Sequence, residues 1–165
     1  MTKRGLLLTG GSVLTLLLGR RAFQGAGAHA AAGTEHFEVV KTDEEWQRLL
    51  SPAQYAVLRQ QATERPGSSP LDQETRRGRY DCAGCRHPLF SSNTKFHSGT
   101  GWPSFWQPLD DAVDATAVRS LLMMRTEVHC HLCGGHLGHV FDDGPRPTGL
   151  RYCMNGVALA FNADA

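Results

Sequence analysis

The sequence lacks an excess of charge of either sign, since 17 basic and 16 acidic residues leave a net charge of +1. Residues 1–30 contain four basic residues and no acidic one, so residues 31–165 carry 13 basic against 16 acidic residues, a net charge of −3. This mildly acidic balance, with no basic stripe, does not suit the phosphate backbone of a nucleic acid. We therefore expect no nucleic-acid partner.

Long hydrophobic runs are missing as well. The N-terminal apolar run, residues 6–18, is too short to span a bilayer comfortably, and no cysteine follows it for lipid attachment. We therefore expect no stable membrane anchor. Lys3 and Arg4 before the run and Ala28-His29-Ala30 after it are typical of an export signal that resembles a twin-arginine signal. They predict a signal peptide over residues 1–30, cleaved near Ala30, and a periplasmic location in a bacterium. An ordinary N-terminal helix is the alternative.

No internal repeat or low-complexity tract is present, and 165 residues are the length of one domain. The 18 glycines and 8 prolines favour a turn-rich, mainly β architecture over a helix bundle. Residues 31–165 are therefore predicted to form a single small domain. Within it, residues 123–128 alternate with a period of two, which predicts a strand leading into a cysteine pair.

A short helix is predicted after Thr42. The segment Thr42-Asp43-Glu44-Glu45 matches a capping box, in which Thr42 is the N-cap and Glu45 reaches back to it. Trp46, Leu49 and Leu50 form the apolar stripe of this helix. We expect the stripe to cover the β core and assign the helix no chemical role.

A second helix is predicted to start at Ser51-Pro52-Ala53-Gln54, which repeats the capping box with proline at the first helical position. It should run to about Thr63, with Tyr55 and Leu58 on its buried side. We expect it to pack beside the first helix as a further part of the cover.

Four of the five cysteines form two Cys-x-x-Cys pairs, Cys82 with Cys85 and Cys130 with Cys133. Two residues between ligands allow both sulfurs of a turn to face one tetrahedral ion, which is the usual arrangement of structural zinc. The pairs predict a closed four-cysteine site for one zinc ion, which stabilises the fold and leaves no open position for catalysis. Two disulfides, a redox-active pair and an iron–sulfur centre are the alternatives.

Cys153 is the cysteine left over. If the segment around it forms a strand, Arg151, Cys153 and Asn155 share one face. An arginine beside a thiol favours the nucleophilic thiolate. The turn at residues 142–149 suggests a hairpin whose register places His139 opposite Cys153, although a slip of one residue would turn His139 away. In the predicted register, a Cys–His pair forms within hydrogen-bonding reach.

His136 precedes His139 by three residues, so a flat strand would place their side chains on opposite faces. Both can reach one site only if Gly138 allows a bend or a β-bulge. Three further histidines are interpreted as hydrogen-bonded structural residues or as neighbours of the zinc: His87, His129 and His131.

The segment from Phe96 to Trp106 combines glycines with large aromatic side chains. Such side chains either fill a core or form a binding loop. Gly99 and Gly101 favour the loop, because a core segment rarely needs so permissive a backbone. In that interpretation, Trp102 forms the wall of a pocket for a small apolar group such as a methyl.

Both cysteine pairs and four segments together resemble the zinc-bearing branch of the B-type methionine sulfoxide reductases, which act on the R epimer. The similarity spans roughly Phe37 to Asn162. It implies a domain of two antiparallel sheets, β-tent-like, with short N-terminal helices. It also implies thiol-dependent reduction of methionine-R-sulfoxide, peptidyl or free, in the repair of oxidised proteins. The four segments are residues 88–92 (PLFSS), 98–105 (SGTGWPSF), 136–141 (HLGHVF) and 151–155 (RYCMN).

The resemblance also implies roles for individual residues. The Cys153 thiolate would attack the sulfoxide sulfur, and after methionine leaves, Cys153 would remain as a sulfenic acid that a thiol can discharge. His139 is the expected acid, and Arg151 tunes the thiolate with the aid of Asp143. Hydrogen-bonding partners complete the catalytic set, and a separate group binds the substrate. The catalytic set is Cys153, His139, His136, Arg151 and Asn155, and the substrate-binding group is Trp102, Phe141 and Gly101.

Two positions depart from the family pattern. Thr100 stands where many members carry a resolving cysteine, and with four cysteines on zinc no internal disulfide with Cys153 is expected. Recycling then needs an external donor, either a thioredoxin-like protein or a small thiol. His97 stands where aspartate is more usual and adds a titratable group beside the substrate loop. We expect a monomer.

Two other functions compete with this interpretation. A zinc-ribbon-like binding module would explain the cysteine pairs and would tolerate Cys153→Ser without loss of function. A Cys–His hydrolase would turn over peptides or esters. The acidic charge and the shared face of Arg151, Cys153 and Asn155 disfavour the first function, and the family resemblance disfavours the second.

Overall fold

The structure is a computed structural model and describes residues 36–120 and 123–165. The predicted signal peptide, residues 1–30, lies outside the described residues. The described part contains two short α-helices, three 3₁₀ turns and nine strands. The helices are α1 (Asp43–Leu49) and α2 (Pro52–Gln60), and the 3₁₀ turns are Pro70–Asp72, Ser92–Thr94 and Gly156–Ala158. The strands are β1 (Gly78–Cys82), β2 (Pro88–Ser91), β3 (Lys95–Phe96), β4 (Ser104–Phe105), β5 (Val113–Ser120), β6 (Met123–Cys130), β7 (His136–Phe141), β8 (Arg151–Met154) and β9 (Leu159–Ala163).

The strands form two antiparallel sheets, which confirms the predicted mainly β class. A three-stranded sheet has the order β2-β1-β9, and a six-stranded sheet has the order β3-β4-β8-β7-β6-β5. The buried side chains of both sheets meet in one core, where the ring of Phe105 stacks on Phe90 and meets Tyr80 edge-on. No helix in the described residues is long and apolar enough to cross a membrane.

Both helices begin with the predicted capping boxes. The Thr42 hydroxyl accepts from the N–H of Glu45 while the Glu45 carboxylate accepts from the N–H of Thr42, and Ser51 and Gln54 repeat the arrangement. The predicted end at Thr63 is wrong. The second helix ends at Gln60, because Gln61 adopts a left-handed conformation with φ of 56°. A left-handed residue of this kind commonly terminates a helix.

The apolar stripe predicted for α1 is only partly correct. Trp46 and Leu50 are buried, with Leu50 7% exposed, but Leu49 is 60% exposed. The helical periodicity stops applying at Leu50, which is the C-cap and has extended backbone angles (φ −106°, ψ 144°). The change of backbone direction turns Leu50 into the core and leaves Leu49 in solvent.

A β-bulge in β7 allows the side chains of His136 and His139 to reach the same site. Val128 lies opposite Gly138 and His129 lies opposite His136, so Leu137 is an extra residue on β7. An inserted residue reverses the alternation of side chains beyond it, which places His136 on the same face as His139. At Gly138, a Cβ atom would overlap the carbonyl oxygen of Cys153, so the close approach of β8 requires glycine.

The hairpin of β7 and β8 has the predicted register. Gly138 pairs with Met154, His139 with Cys153 and Phe141 with Arg151. Directly opposed residues in an antiparallel pair direct their side chains to the same face. His139 and Cys153 are therefore neighbours on one face of the six-stranded sheet.

The two leucines at the end of α1 provide a matched test of the burial that the structure shows. Leu50→Ala should lower the free energy of unfolding by about 2–5 kcal/mol, since it removes buried methyl groups and leaves a cavity. Leu49→Ala should change it by about 0.5 kcal/mol or less, because Leu49 is exposed. Urea unfolding of both variants measures the difference. Equal losses would contradict the extended C-cap at Leu50.

Candidate active site

Cys153 lies at the centre of the six-stranded sheet, in a row of opposed residues. His139 on β7 is its partner on one side, and Ser104 on β4 is its partner on the other. Glu127 on β6 lies opposite His139. Because opposed residues share a face, the row runs Glu127, His139, Cys153 and Ser104 across four neighbouring strands.

A pocket of about 220 Å³ opens over this row. Of the residues predicted to bind substrate, Trp102 and Phe141 line it, whereas Gly101 does not. Gly101 has φ of 87° and accepts at its carbonyl from the N–H of Gly67, so it shapes the loop that carries Trp102. The pocket is lined by Thr63, Trp102, Arg125, Gly138, His139, Phe141, Cys153 and Asn155.

His139 is half-buried, and its surroundings disfavour the imidazolium form. Burial is the largest cause that lowers the pKa of His139 below its ordinary value of 6.5, and the charges of His136 and Arg125 lower it further. The Glu127 carboxylate opposes the shift. His139 is therefore mainly neutral near pH 7 and can accept a proton from a neighbouring thiol.

His136 is held by the carboxylate of Glu127, to which no sequence motif pointed. The Nδ1 atom of His136 lies 2.7 Å from Oε1 of Glu127, and both side chains are buried. The rings of His136 and His139 meet edge to face, with centroids 5.5 Å apart. The alternation in residues 123–128 predicted the strand that carries Glu127, but only the register of β6 and β7 brings it to His136.

Arg151 is fixed beside Cys153 by two contacts. Its Nε and Nη2 atoms each donate to Asp143, at 2.8 Å and 2.8 Å, and its guanidinium lies 4.4 Å from the centroid of the Phe141 ring. The hydrogen bond to Asp143 is the largest cause that raises the pKa of Arg151, and the charge of Cys153 contributes as well. The same pair holds the pKa of Asp143 below its ordinary value. The structure shows the contact between Asp143 and Arg151, and its effect on the Cys153 thiolate stays a prediction.

Asn155 lines the pocket, and two hydrogen bonds hold its side chain. Its side-chain N–H donates to the carbonyl of Leu137 at 3.0 Å, and its side-chain oxygen accepts from the N–H of Glu64 at 2.9 Å. Asn155 is one of the buried polar residues of the fold. One of its two amide hydrogens is therefore bound by the backbone of the bulge at Leu137, and the catalytic role of Asn155 stays a prediction.

Glu64 is a second residue of the site that no sequence motif indicated. Its carboxylate accepts from the N–H groups of Gly156 (2.6 Å) and Val157 (3.0 Å), and its carbonyl accepts from the indole N–H of Trp102 at 3.3 Å. Together with its bond to Asn155, these contacts join the chain beyond β8 to the loop that carries Trp102. Glu64 is 91 residues from Asn155 in sequence, so no local pattern could have revealed the contact.

Both interpretations of the aromatic segment hold, for different side chains. Phe105 is fully buried in the core, whereas Trp102 lies at the pocket. The hydroxyl oxygen of Thr100 lies 3.8 Å from the sulfur of Cys153. Ser98 connects Thr100 to Ser104 through hydroxyl contacts of 2.8 Å and 2.7 Å. The position of the absent resolving cysteine is thus directly beside the Cys153 sulfur.

The other four cysteines form one cluster, as predicted. Their sulfur atoms lie within 4.8 Å of one another, with Cys82 and Cys133 3.8 Å apart and Cys85 and Cys130 3.6 Å apart. Four sulfurs at about 2.3 Å from a tetrahedral ion are separated by about 3.8 Å, whereas a disulfide bond measures about 2.05 Å. The cluster therefore fits a metal ion and does not fit two disulfides.

Comparison with known proteins places the chain in one family. The family described as the SelR domain matches residues 50–163. The peptide methionine sulfoxide reductase MsrB of Bradyrhizobium diazoefficiens is 56% identical over 131 residues, which cover 79% of this chain and 94% of that protein.

Relatives from other organisms show the same similarity. The peptide methionine sulfoxide reductase MsrB of Leptospira interrogans is 52% identical over 78% of this chain and 99% of that protein. The chloroplastic peptide methionine sulfoxide reductase B1 of Oryza sativa is 49% identical over 77% of this chain and 60% of that protein. Family match and site geometry agree, and the chain belongs to the SelR-domain family of B-type methionine sulfoxide reductases.

Proposed function

We propose that this protein reduces methionine-R-sulfoxide to methionine, in oxidised proteins and peptides and as the free amino acid, with Cys153 as the nucleophile. The observation that carries the proposal is the pairing of Cys153 with His139 inside a pocket walled by Trp102 and Phe141. This arrangement supplies a nucleophile, a proton carrier and an apolar wall for the methyl group. Family membership supports the same reaction.

The first step is activation of the thiol. The low pKa of His139, caused first by burial, leaves a neutral imidazole that takes the proton of Cys153. Arg151 stabilises the resulting thiolate, since Asp143 and Phe141 hold its guanidinium nearby. The thiolate then attacks the sulfoxide sulfur, whose methyl group rests against Trp102.

The second step transfers the oxygen atom. His139, now protonated, returns its proton to the sulfoxide oxygen, which makes that oxygen easier to release from the substrate sulfur. The substrate sulfur gains two electrons and leaves as methionine. The sulfur of Cys153 loses the same two electrons and takes over the oxygen as a sulfenic acid, and the bond that the attack formed between the two sulfurs breaks.

Recycling is proposed to be intermolecular. Thr100 occupies the position beside the Cys153 sulfur, and the remaining cysteines belong to the four-cysteine cluster. A thioredoxin-like or small thiol therefore attacks the sulfenic acid, which releases water and forms a mixed disulfide. A second thiolate of the donor breaks that disulfide and restores the Cys153 thiol.

The metal of the four-cysteine cluster is proposed to be zinc. Four thiolates at tetrahedral spacing suit zinc, and a closed site of this kind supplies a structural cross-link. For residues 1–30 we propose an export signal, with the mature protein acting as a monomer in the periplasm.

Mass spectrometry after brief exposure to methionine-R-sulfoxide, without reductant, tests the reaction. In the wild type, Cys153 should gain one oxygen and no internal disulfide should form. In Thr100→Cys, a disulfide to Cys153 should form instead, because the Thr100 hydroxyl lies 3.8 Å from the Cys153 sulfur and the loop is rich in glycine. The S epimer serves as the control substrate. A Cys153→Ser variant that still reduces the sulfoxide would contradict the mechanism. A wild type whose Cys153 gains no oxygen would favour the zinc-ribbon-like binding module.

The pH dependence of the first turnover tests the role of His139. The rate should rise with pH through a pKa below 6.5, because only neutral His139 accepts the thiol proton and burial favours that form. Glu127→Gln should move this rise to lower pH, because the Glu127 carboxylate raises the pKa of His139. Stopped-flow measurement of single turnovers between pH 4 and 8 gives both profiles. A rise that moves to higher pH in Glu127→Gln would contradict the electrostatic assignment.

Metal content and stability test the zinc cluster. The purified protein should contain about one zinc ion per chain. Cys85→Ser should lose the metal and melt at a lower temperature, since the metal contributes to folding only when its ligands are complete. Cys153→Ser is the matched control and should keep both the metal and the melting temperature, because Cys153 is outside the cluster. Equal zinc content in both variants would exclude the cluster as the site.

A further inference from the structure

Arg125 lines the active-site pocket, and beyond its charge, which helps to lower the pKa of His139, it has no role in the mechanism above. It lies on β6, two residues from Glu127, so both side chains are on the same face of the sheet. The register of β6 and β7, continued by one residue beyond the pair of Thr126 and Val140, places Arg125 opposite Phe141, which itself pairs with Arg151. Arg125 is exposed, whereas Glu127, two residues further along the strand, is buried.

The other charged groups around the pocket already have partners. Asp143 binds Arg151, and the Glu127 carboxylate binds His136. The Glu64 carboxylate accepts from two backbone N–H groups. Among the described residues, no hydrogen bond or ion pair joins the guanidinium of Arg125 to a carboxylate. Arg125 is therefore a cationic group at the pocket that remains available to a ligand.

The position of Arg125 suits a group on the substrate beyond the methionine side chain. Arg125 and Phe141 form a row that lies two residues along the strands from the row of His139 and Cys153. Two residues of an antiparallel strand span about 6.8 Å. A substrate whose sulfur meets Cys153 and whose methyl group meets Trp102 directs its main chain away from the floor of the pocket. A group attached close to the α-carbon of the oxidised methionine then comes within reach of the long Arg125 side chain.

We propose that Arg125 determines specificity by binding a carboxylate adjacent to the oxidised methionine. The carboxylate is either the side chain of a neighbouring aspartate or glutamate or the α-carboxylate of free methionine-R-sulfoxide. Guanidinium and carboxylate form paired, charge-assisted hydrogen bonds that a neutral group cannot replace. The proposal rests on the proposed function, since it concerns the substrate of the same site.

Three matched peptides test the preference for a neighbouring side chain. They carry methionine-R-sulfoxide next to glutamate, glutamine or lysine and have blocked termini. For the wild type, we expect kcat/KM to fall from glutamate to glutamine by about three- to tenfold, the range of a partly exposed ion pair, and to fall again for lysine. The ratio should shrink at high salt, because the pair is exposed and salt screens it.

Variants of Arg125 should change the ratio in a defined order. Arg125→Lys should keep part of the preference, Arg125→Gln should make the glutamate and glutamine peptides equivalent, and Arg125→Glu should favour the lysine peptide. Arg48→Gln removes one positive charge on the exposed side of α1 and should leave the ratio at the wild-type value. The proposal is overturned if the wild type and Arg125→Gln give equal kcat/KM ratios of glutamate to glutamine peptide. The same must hold for the ratio of free methionine-R-sulfoxide to its amide.

A second pair of substrates separates the two sources of the carboxylate. Free methionine-R-sulfoxide is compared with its amide, which lacks the carboxylate. Sensitivity to Arg125→Gln only in the peptide set identifies the neighbouring side chain, and sensitivity only in the free pair identifies the α-carboxylate. Either result supports the carboxylate site. Turnover of the neutral peptide by the wild type shows that the proposed reaction holds whatever the ratios are, so the two proposals fail separately.

Discussion

The antiparallel register of β7 and β8 is the constraint on which the site depends. It places His139 opposite Cys153. Only glycine at position 138 allows β8 to approach so closely. The bulge at Leu137 then brings His136 onto the same face as His139. A slip of β7 by one residue would turn His136 and His139 to the face opposite Cys153. The chemistry of the site therefore depends on the register of the hairpin.

Three carboxylates secure this geometry from three different parts of the chain. Glu127 holds His136, Asp143 holds Arg151, and Glu64 ties the chain after β8 to the loop of Trp102. Each of these carboxylates accepts two or more hydrogen bonds or makes one strong ionic contact. Such partners offset the free energy that a carboxylate loses when it is removed from water. With these acids paired, Arg125 remains as the charge that faces the pocket.

The four-cysteine cluster joins the two sheets at their ends. Cys82 is the last residue of β1 in the three-stranded sheet, and Cys130 is the last residue of β6 in the six-stranded sheet. A metal bound by both pairs would therefore cross-link the two sheets. The same strand, β6, carries Glu127 and Arg125, so the cross-link also fixes one wall of the pocket.

The sequence by itself determined the elements whose signals are local. Capping boxes fixed both helix starts, Cys-x-x-Cys spacing indicated the metal cluster, and the turn at residues 142–149 predicted the register that pairs His139 with Cys153. Only the tertiary structure decided the rest. Leu49 is exposed because the backbone direction changes at the next residue, and Asn155 binds Leu137 because the bulge presents that carbonyl. Glu64 and Glu127 find their partners through contacts between segments far apart in the chain or on separate strands, and such contacts leave no periodic trace in the sequence.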